Sequence, residues 1–209
     1  MWRRHQLVRP DRAAWRRALA AADPAARPCI ALWAERDLPL VVTRQRGGAG
    51  LALGLPAPLS FGRMKIALEL APGESLRIDA FPALAALAPP PAVAAEWQPL
   101  CDTLARCRCD ARVYGGHGWQ AITGLPYLHP ASDLDLLLPV ADAAEADRLC
   151  RLLAAASPAL PRLDGELLWP DGAAVAWREW HGGARRLLVK RIDRVALEDR
   201  PWAPPPTRA

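Results

Sequence analysis

The stretch from 82 to 95 limits the folding of this chain more than any other. It is rich in alanine and proline and carries three prolines in succession, Pro89, Pro90 and Pro91. Proline has no backbone N–H and fixes φ, so such a run sustains neither a helix nor a central strand and is stiff when extended. It reads as a boundary. The 209 residues then divide into a module of residues 1–88 and a domain of residues 89–209, a length suited to one large domain or two small ones.

Ahead of the boundary, Asp11 precedes a run of alanine, tryptophan and arginine that reads as an N-capped helix to about Ala22. Pro24 and Pro28 are expected to end it. Short β-like runs follow at Cys29–Ala34, Leu38–Arg44, Leu51–Leu55, Met64–Ala71 and Ser75–Ala80. Gly47–Gly50 and Pro72-Gly73 mark turns. This module is mainly β with one helix.

Beyond the boundary, Trp97, Leu100 and Leu104 recur at helical spacing, so residues 94–107 read as a helix. Ala111–Tyr114 is a strand stopped by Gly115-Gly116, and Trp119–Thr123 a short helix closed by Gly124. Asp133–Val140 is a strand apolar enough to be buried on both faces. Asp142–Ala156 is a helix with acids in its first turn. Strands are expected at Leu163–Trp169, Ala173–Trp180 and Arg186–Ile192, joined by turns at 170–172 and 181–183, then a short strand near Val195–Leu197 and a proline-rich tail. The fold class is α+β, with a mixed sheet in the second domain and helices on one side of it.

Composition narrows the function. About half the residues are apolar, which suffices for a core, yet the apolar runs fall far short of the roughly 20 residues of a membrane span. The start, Met1-Trp2-Arg3-Arg4, leads into no apolar secretory segment, so a cytoplasmic protein is expected. The net charge of +5 comes from arginines spread along the chain instead of a phosphate-binding stripe, so neither nucleic acid nor membrane is the expected partner. Five cysteines, an odd number, without zinc-type spacing read as free thiols.

The chemistry is concentrated in residues 111–140. In a strand, residues two apart project from one face at about 7 Å, so Asp133 and Asp135 point the same way. Two such carboxylates repel unless a cation lies between them. Mg²⁺ does that while neutralising phosphate oxygens. Gly115 and Gly116 carry no side chains, so backbone N–H groups at the start of the next helix can approach a phosphate. Either feature alone is ordinary. The succession of strand, Gly-Gly, short helix, loop, then Ser132-Asp133-Leu134-Asp135 opening an apolar strand is not.

At these residues the chain resembles the nucleotidyltransferase superfamily. The fuller string, from Trp119-Gln120 through Thr123-Gly124 and Tyr127 to Ser132-Asp133-Leu134-Asp135-Leu136-Leu137, is similar to one branch: the malonate decarboxylase holo-acyl-carrier-protein synthases, or phosphoribosyl-dephospho-CoA transferases. Residues 174–179, 187–190 and Leu53-Gly54-Leu55-Pro56 fit the same branch. Gly116 departs from the superfamily, which often has serine there.

The resemblance implies a nucleotidyltransferase-like second domain and a Mg²⁺-dependent enzyme. It would move the phosphoribosyl-dephospho-CoA group from its triphosphate precursor, triphosphoribosyl-dephospho-CoA, to a serine of the apo acyl carrier protein subunit of malonate decarboxylase, releasing diphosphate. Asp133 and Asp135 would bind the metal and Gly115 and Gly116 the leaving diphosphate, with His117 and Ser132 on the substrate side. A third acid is expected on a later strand. Asp164 is favoured, with Glu166 and Glu179 as alternatives. Arg112, Arg178 and Lys190 are candidate contacts to phosphate or to the carrier protein, and Trp119 reads as core. The competing functions are a nucleotidyltransferase acting on a small-molecule hydroxyl and a non-catalytic carrier-binding subunit.

Overall fold

The computed structural model describes residues 2–74 and 76–200. Ser75, expected to begin a strand, and the tail from 201 to 209 lie outside the described residues. The protein is α+β, with two sheets and six α-helices among the described residues. Two compact units emerge among the described residues: those up to 81 with 119–127 and 192–194, and 82–118 with 128–191 and the described residues from 195 onward. The division falls at Phe81 and Pro82, at the front of the Ala/Pro stretch and not at 88 and 89.

The first unit holds β1 (Leu7–Pro10), α1 (Arg12–Ala21), α2 (Arg27–Glu35), β2 (Leu40–Val42), β3 (Leu51–Pro56), β4 (Lys65–Leu70) and β5 (Leu76–Asp79). Its strands form an antiparallel sheet in the order β4-β3-β2-β1-β5. The Asp11 carboxylate accepts from the Ala14 N–H at 2.8 Å and caps α1, as its place before the helix indicates. Cys29–Ala34 is not a strand but most of α2. Pro28 stands in that helix's first turn, where the missing N–H costs nothing, and Cys29, Ile30 and Trp33 line one buried face at helical spacing. Strand β1 was hidden in the arginine-rich start, yet its Leu7 and Val8 are wholly buried.

The second unit holds α3 (Ala94–Arg106), β6 (Arg112–Val113), α4 (Gly115–Thr123), β7 (Leu134–Pro139), α5 (Ala143–Ala154), β8 (Leu163–Leu168), β9 (Ala174–Ala176), α6 (Trp177–His181), β10 (Arg186–Lys190) and β11 (Val195–Asp199). Helix α4 straddles the division, Gly115–Gly118 belonging here and the rest to the first unit. The sheet runs β11-β10-β9-β8-β7-β6. Only β7 and β8 pair in parallel among the described strands, with α5 as the crossover that a parallel pair requires.

The expected strand at 173–180 breaks after Ala176, because Trp177 and Trp180, three apart, turn one helical face into the core. Leu134, Leu136 and Leu138 are fully buried on one face of β7, which leaves Asp135 on the other. All five cysteines are free thiols. Among the described residues no helix is long and apolar enough to cross a membrane.

Candidate active site

The parallel register of β7 and β8 sets Asp135 opposite Asp164, and Leu137 opposite Glu166. Adjacent strands lie about 4.8 Å apart, so Asp135 and Asp164 are side by side on one face. Asp133 stands just before β7, two residues from Asp135, and Arg162 just before β8. The Arg162 Nε donates to Asp133 Oδ1 at 2.9 Å and its Nη2 to Asp133 Oδ2 at 2.5 Å. The same Nη2 reaches Asp164 Oδ2 at 3.3 Å. Three carboxylates and one guanidinium thus gather at the entrance to two strands.

Their environments differ. The Arg162 hydrogen bonds hold the Asp133 carboxyl below its ordinary range. Asp135 is pushed up to about 6, first by burial and then by the carboxylates of Asp164 and Asp133. The site therefore contains one carboxylate already matched by a cation and one that is crowded and half-buried.

Gly115 explains how Asp135 fits. Tyr114 donates its N–H to the Asp135 carbonyl at 3.0 Å, and the chain turns at Gly115 with φ of +59°. A Cβ on Gly115 would lie 1.8 Å from Asp135 Oδ2, so the backbone at the start of α4 is pressed against the carboxylate. Helix α4 begins at the glycines and not at Trp119, which places Gly115, Gly116 and His117 in its first turn, where N–H groups lack intrahelical partners. Gly165 does similar work on β8: its φ is +133°, and a Cβ there would come within 2.0 Å of the Leu136 carbonyl oxygen. The strands close to pairing distance because neither glycine has a side chain.

His117 is buried, and burial lowers its imidazole pKa. The Ser132 hydroxyl accepts from the His129 N–H at 2.9 Å and shapes the loop into Asp133. Of the alternatives for a third acid, Glu166 is buried with the Lys190 ammonium 2.7 Å away, so each accounts for the other. Glu179 lies on α6 and accepts from the Leu188 N–H at 2.8 Å. Asp164 is the one in register with Asp135. Arg112 pairs with Asp110 at 2.9 Å. Arg178 donates to the Leu163 carbonyl at 3.0 Å and stacks 4.6 Å over the Trp177 ring. Trp119 is core, edge-on to Phe81 at 5.3 Å and stacked on Tyr127 at 6.5 Å.

Arg162 escaped the sequence reading. A signal was present in the alternation of Arg162, Asp164 and Glu166, which puts all three on one strand face.

Among the described residues, no three His, Cys, Asp or Glu side chains close into a metal cage. Mg²⁺ is typically held by one or two carboxylates, the remaining positions being waters and substrate phosphate oxygens. Asp133 and Asp135 could serve as such a pair, and a divalent cation there would relieve the repulsion that, after burial, raises Asp135.

Fold and site together define an α+β protein of two units, whose mixed sheet carries adjacent carboxylates under a glycine-opened helix start. The chain belongs to the phosphoribosyl-dephospho-CoA transferase family. The family model described as Phosphoribosyl-dephospho-CoA transferase MdcG C-terminal domain matches residues 75–201, and that of the N-terminal domain matches residues 3–81. The phosphoribosyl-dephospho-CoA transferase of Bradyrhizobium diazoefficiens is 42% identical, over 94% of this chain and 90% of the relative. That of Xanthomonas euvesicatoria is 40% identical over 90% and 89% respectively, and that of Xanthomonas campestris 37% over 93% and 92%. No solved structure matches.

Proposed function

We propose that this protein is a nucleotidyltransferase that moves the 2′-(5″-phosphoribosyl)-3′-dephospho-CoA group from its triphosphate precursor to a serine of the malonate decarboxylase acyl carrier protein. The serine oxygen forms a bond to the α-phosphorus, the bond from that phosphorus to the bridging oxygen breaks, and diphosphate leaves. The observation that carries the reading is the Asp135–Asp164 pair in register beneath Gly115, in a chain whose relatives are named phosphoribosyl-dephospho-CoA transferases.

Asp133 and Asp135 are the proposed metal ligands, with Asp164 as the third acid. Bound there, Mg²⁺ would supply charge neutralisation on the triphosphate during in-line displacement. Asp164, beside the metal ligands, is positioned to accept the serine proton. Backbone N–H groups of Gly115 and Gly116 face the departing diphosphate, favoured by the helix start. His117 and Ser132 line the substrate side.

The test is an incubation of the protein with Mg²⁺, the triphosphoribosyl-dephospho-CoA donor and the apo carrier protein, read by carrier mass and diphosphate release. A mass gain of one prosthetic group with stoichiometric diphosphate supports the reading. No mass gain, with diphosphate formed from ATP and a small alcohol, would replace it with a small-molecule nucleotidyltransferase.

A further inference from the structure

Among the described residues, the Arg162 guanidinium donates twice to the proposed metal ligand Asp133 and once to the third acid Asp164. The Arg162 side chain is nevertheless 58% exposed, and those of Asp133 and Asp164 are 30% and 33% exposed. An ion pair so accessible to water contributes little to the fold. It is also redundant as a strand clasp, because the Leu134 N–H already donates to the Arg162 carbonyl at 3.0 Å and joins the two strands at that point. The side chain is therefore free to change partners without loosening the register.

A second destination is at hand. Arg162 also lines a cavity of about 500 Å³ shared with Arg178, His181, Ser157 and Trp177. The guanidinium is a rigid fork that matches phosphate as well as carboxylate.

We propose that Arg162 is an exchangeable counter-cation, neutralising the carboxylates in the empty enzyme and passing to phosphate oxygens of the donor when a divalent cation takes its place. The proposal rests on the metal-site reading above. Arg162 occupies both oxygens of Asp133 and reaches Asp164, so a divalent cation arriving alone must compete with it. A cation arriving with a triphosphate offers the guanidinium new acceptors in return. Metal and triphosphate therefore bind cooperatively, each raising the affinity for the other by the same factor. Arg162 is a binding and positioning residue of the donor site, and it guards the carboxylates against free cations.

The experiment compares the full-length protein with Arg162→Gln and Asp135→Asn, after far-UV circular dichroism confirms that each is folded. Binding of Mn²⁺ alone is followed by electron paramagnetic resonance, and binding of preformed Mn²⁺–inorganic triphosphate by calorimetry. Arg162→Gln is expected to bind Mn²⁺ alone more tightly, by up to roughly five-fold, and the triphosphate complex more weakly by at least as much. Those opposite signs distinguish exchange from a structural role, which would weaken both.

Unchanged or weaker Mn²⁺ binding by Arg162→Gln, with binding in the wild type that Asp135→Asn removes, overturns the exchange and leaves the metal site standing. Mn²⁺ binding indifferent to Asp135→Asn overturns the metal site and the exchange with it.

Discussion

Asp135 and Asp164 stand opposite each other in the parallel register of β7 and β8, two acids side by side on a sheet whose other face is packed with leucine. The arrangement costs stability and has a pH signature. Burial first, then the carboxylates of Asp164 and Asp133, push the folded pKa of Asp135 up to about 6 from an ordinary value of 3.8. The native state binds the extra proton, so the cost is absent below pH 4, grows as pH rises to about 6, and is complete above it. A shift of this size corresponds to about 2–3 kcal/mol. Asp135→Asn is expected to stabilise the metal-free protein by about 2 kcal/mol at pH 7.5 and by much less at pH 4. Urea unfolding at the two pH values measures this; a variant less stable at pH 7.5 would show that the crowding is relieved in some other way.

Gly115 and Gly124 both have positive φ, but only Gly115 has a side chain pressed against it. At Gly124 a Cβ meets open space, so Gly124→Ala is expected to cost only the left-handed backbone term, about 1–2 kcal/mol, with turnover retained. Gly115→Ala adds a clash with Asp135 and displaces the carboxylate. A loss of roughly a hundred-fold or more in transfer rate is expected, the scale of a misplaced reacting group. Equal effects of the two substitutions on kcat would remove Gly115 from the site.

Lys190 and Glu166 test the assignment of roles. Glu166 is only 3% exposed, so Lys190→Met leaves a buried charge without its cation, at a cost of about 3–5 kcal/mol. Removing both charges in Lys190→Met/Glu166→Leu should recover most of that. A double-mutant cycle by chemical denaturation gives the coupling, and additive effects would contradict the pair.

The thiols report on burial. Burial raises Cys29 to about 11 and Cys109 and Cys150 to about 12, and raises Cys101 as well, whereas Cys107 is half-buried. A thiol reagent at pH 8 is expected to label Cys107 rapidly in the native protein and the other four only in denaturant. Two fast equivalents in the native state would contradict the packing around one of the buried four.

The sequence showed strands where turn residues bracket β-branched or leucine-rich runs, and it showed the carboxylates of β7 by their spacing of two. It misled at Cys29–Ala34, because a proline that ends one helix also begins the next, and at Trp177–Trp180, where three-residue spacing was masked by the strand before it. The Asp135–Asp164 pairing was not legible from local pattern: it depends on which strands are neighbours and in what register. The close contact of Gly115 with Asp135 was hidden for the same reason. Arg162 was visible as an alternation partner of Asp164, but only the fold shows it bonded to Asp133.

The most direct measurement is the rate of holo-carrier formation, by intact mass, with saturating donor and Mg²⁺ for Asp135→Asn and Asp164→Asn beside Glu179→Gln. Both aspartate variants are expected to lose roughly a thousand-fold or more, equivalent to several kcal/mol of transition-state stabilisation. Glu179→Gln is expected to stay within about three-fold of wild type, since its carboxylate bonds to the β10 backbone instead. Aspartate variants that keep rates within about ten-fold of wild type, less than 1.4 kcal/mol, would contradict a transfer reaction carried by the β7–β8 carboxylates.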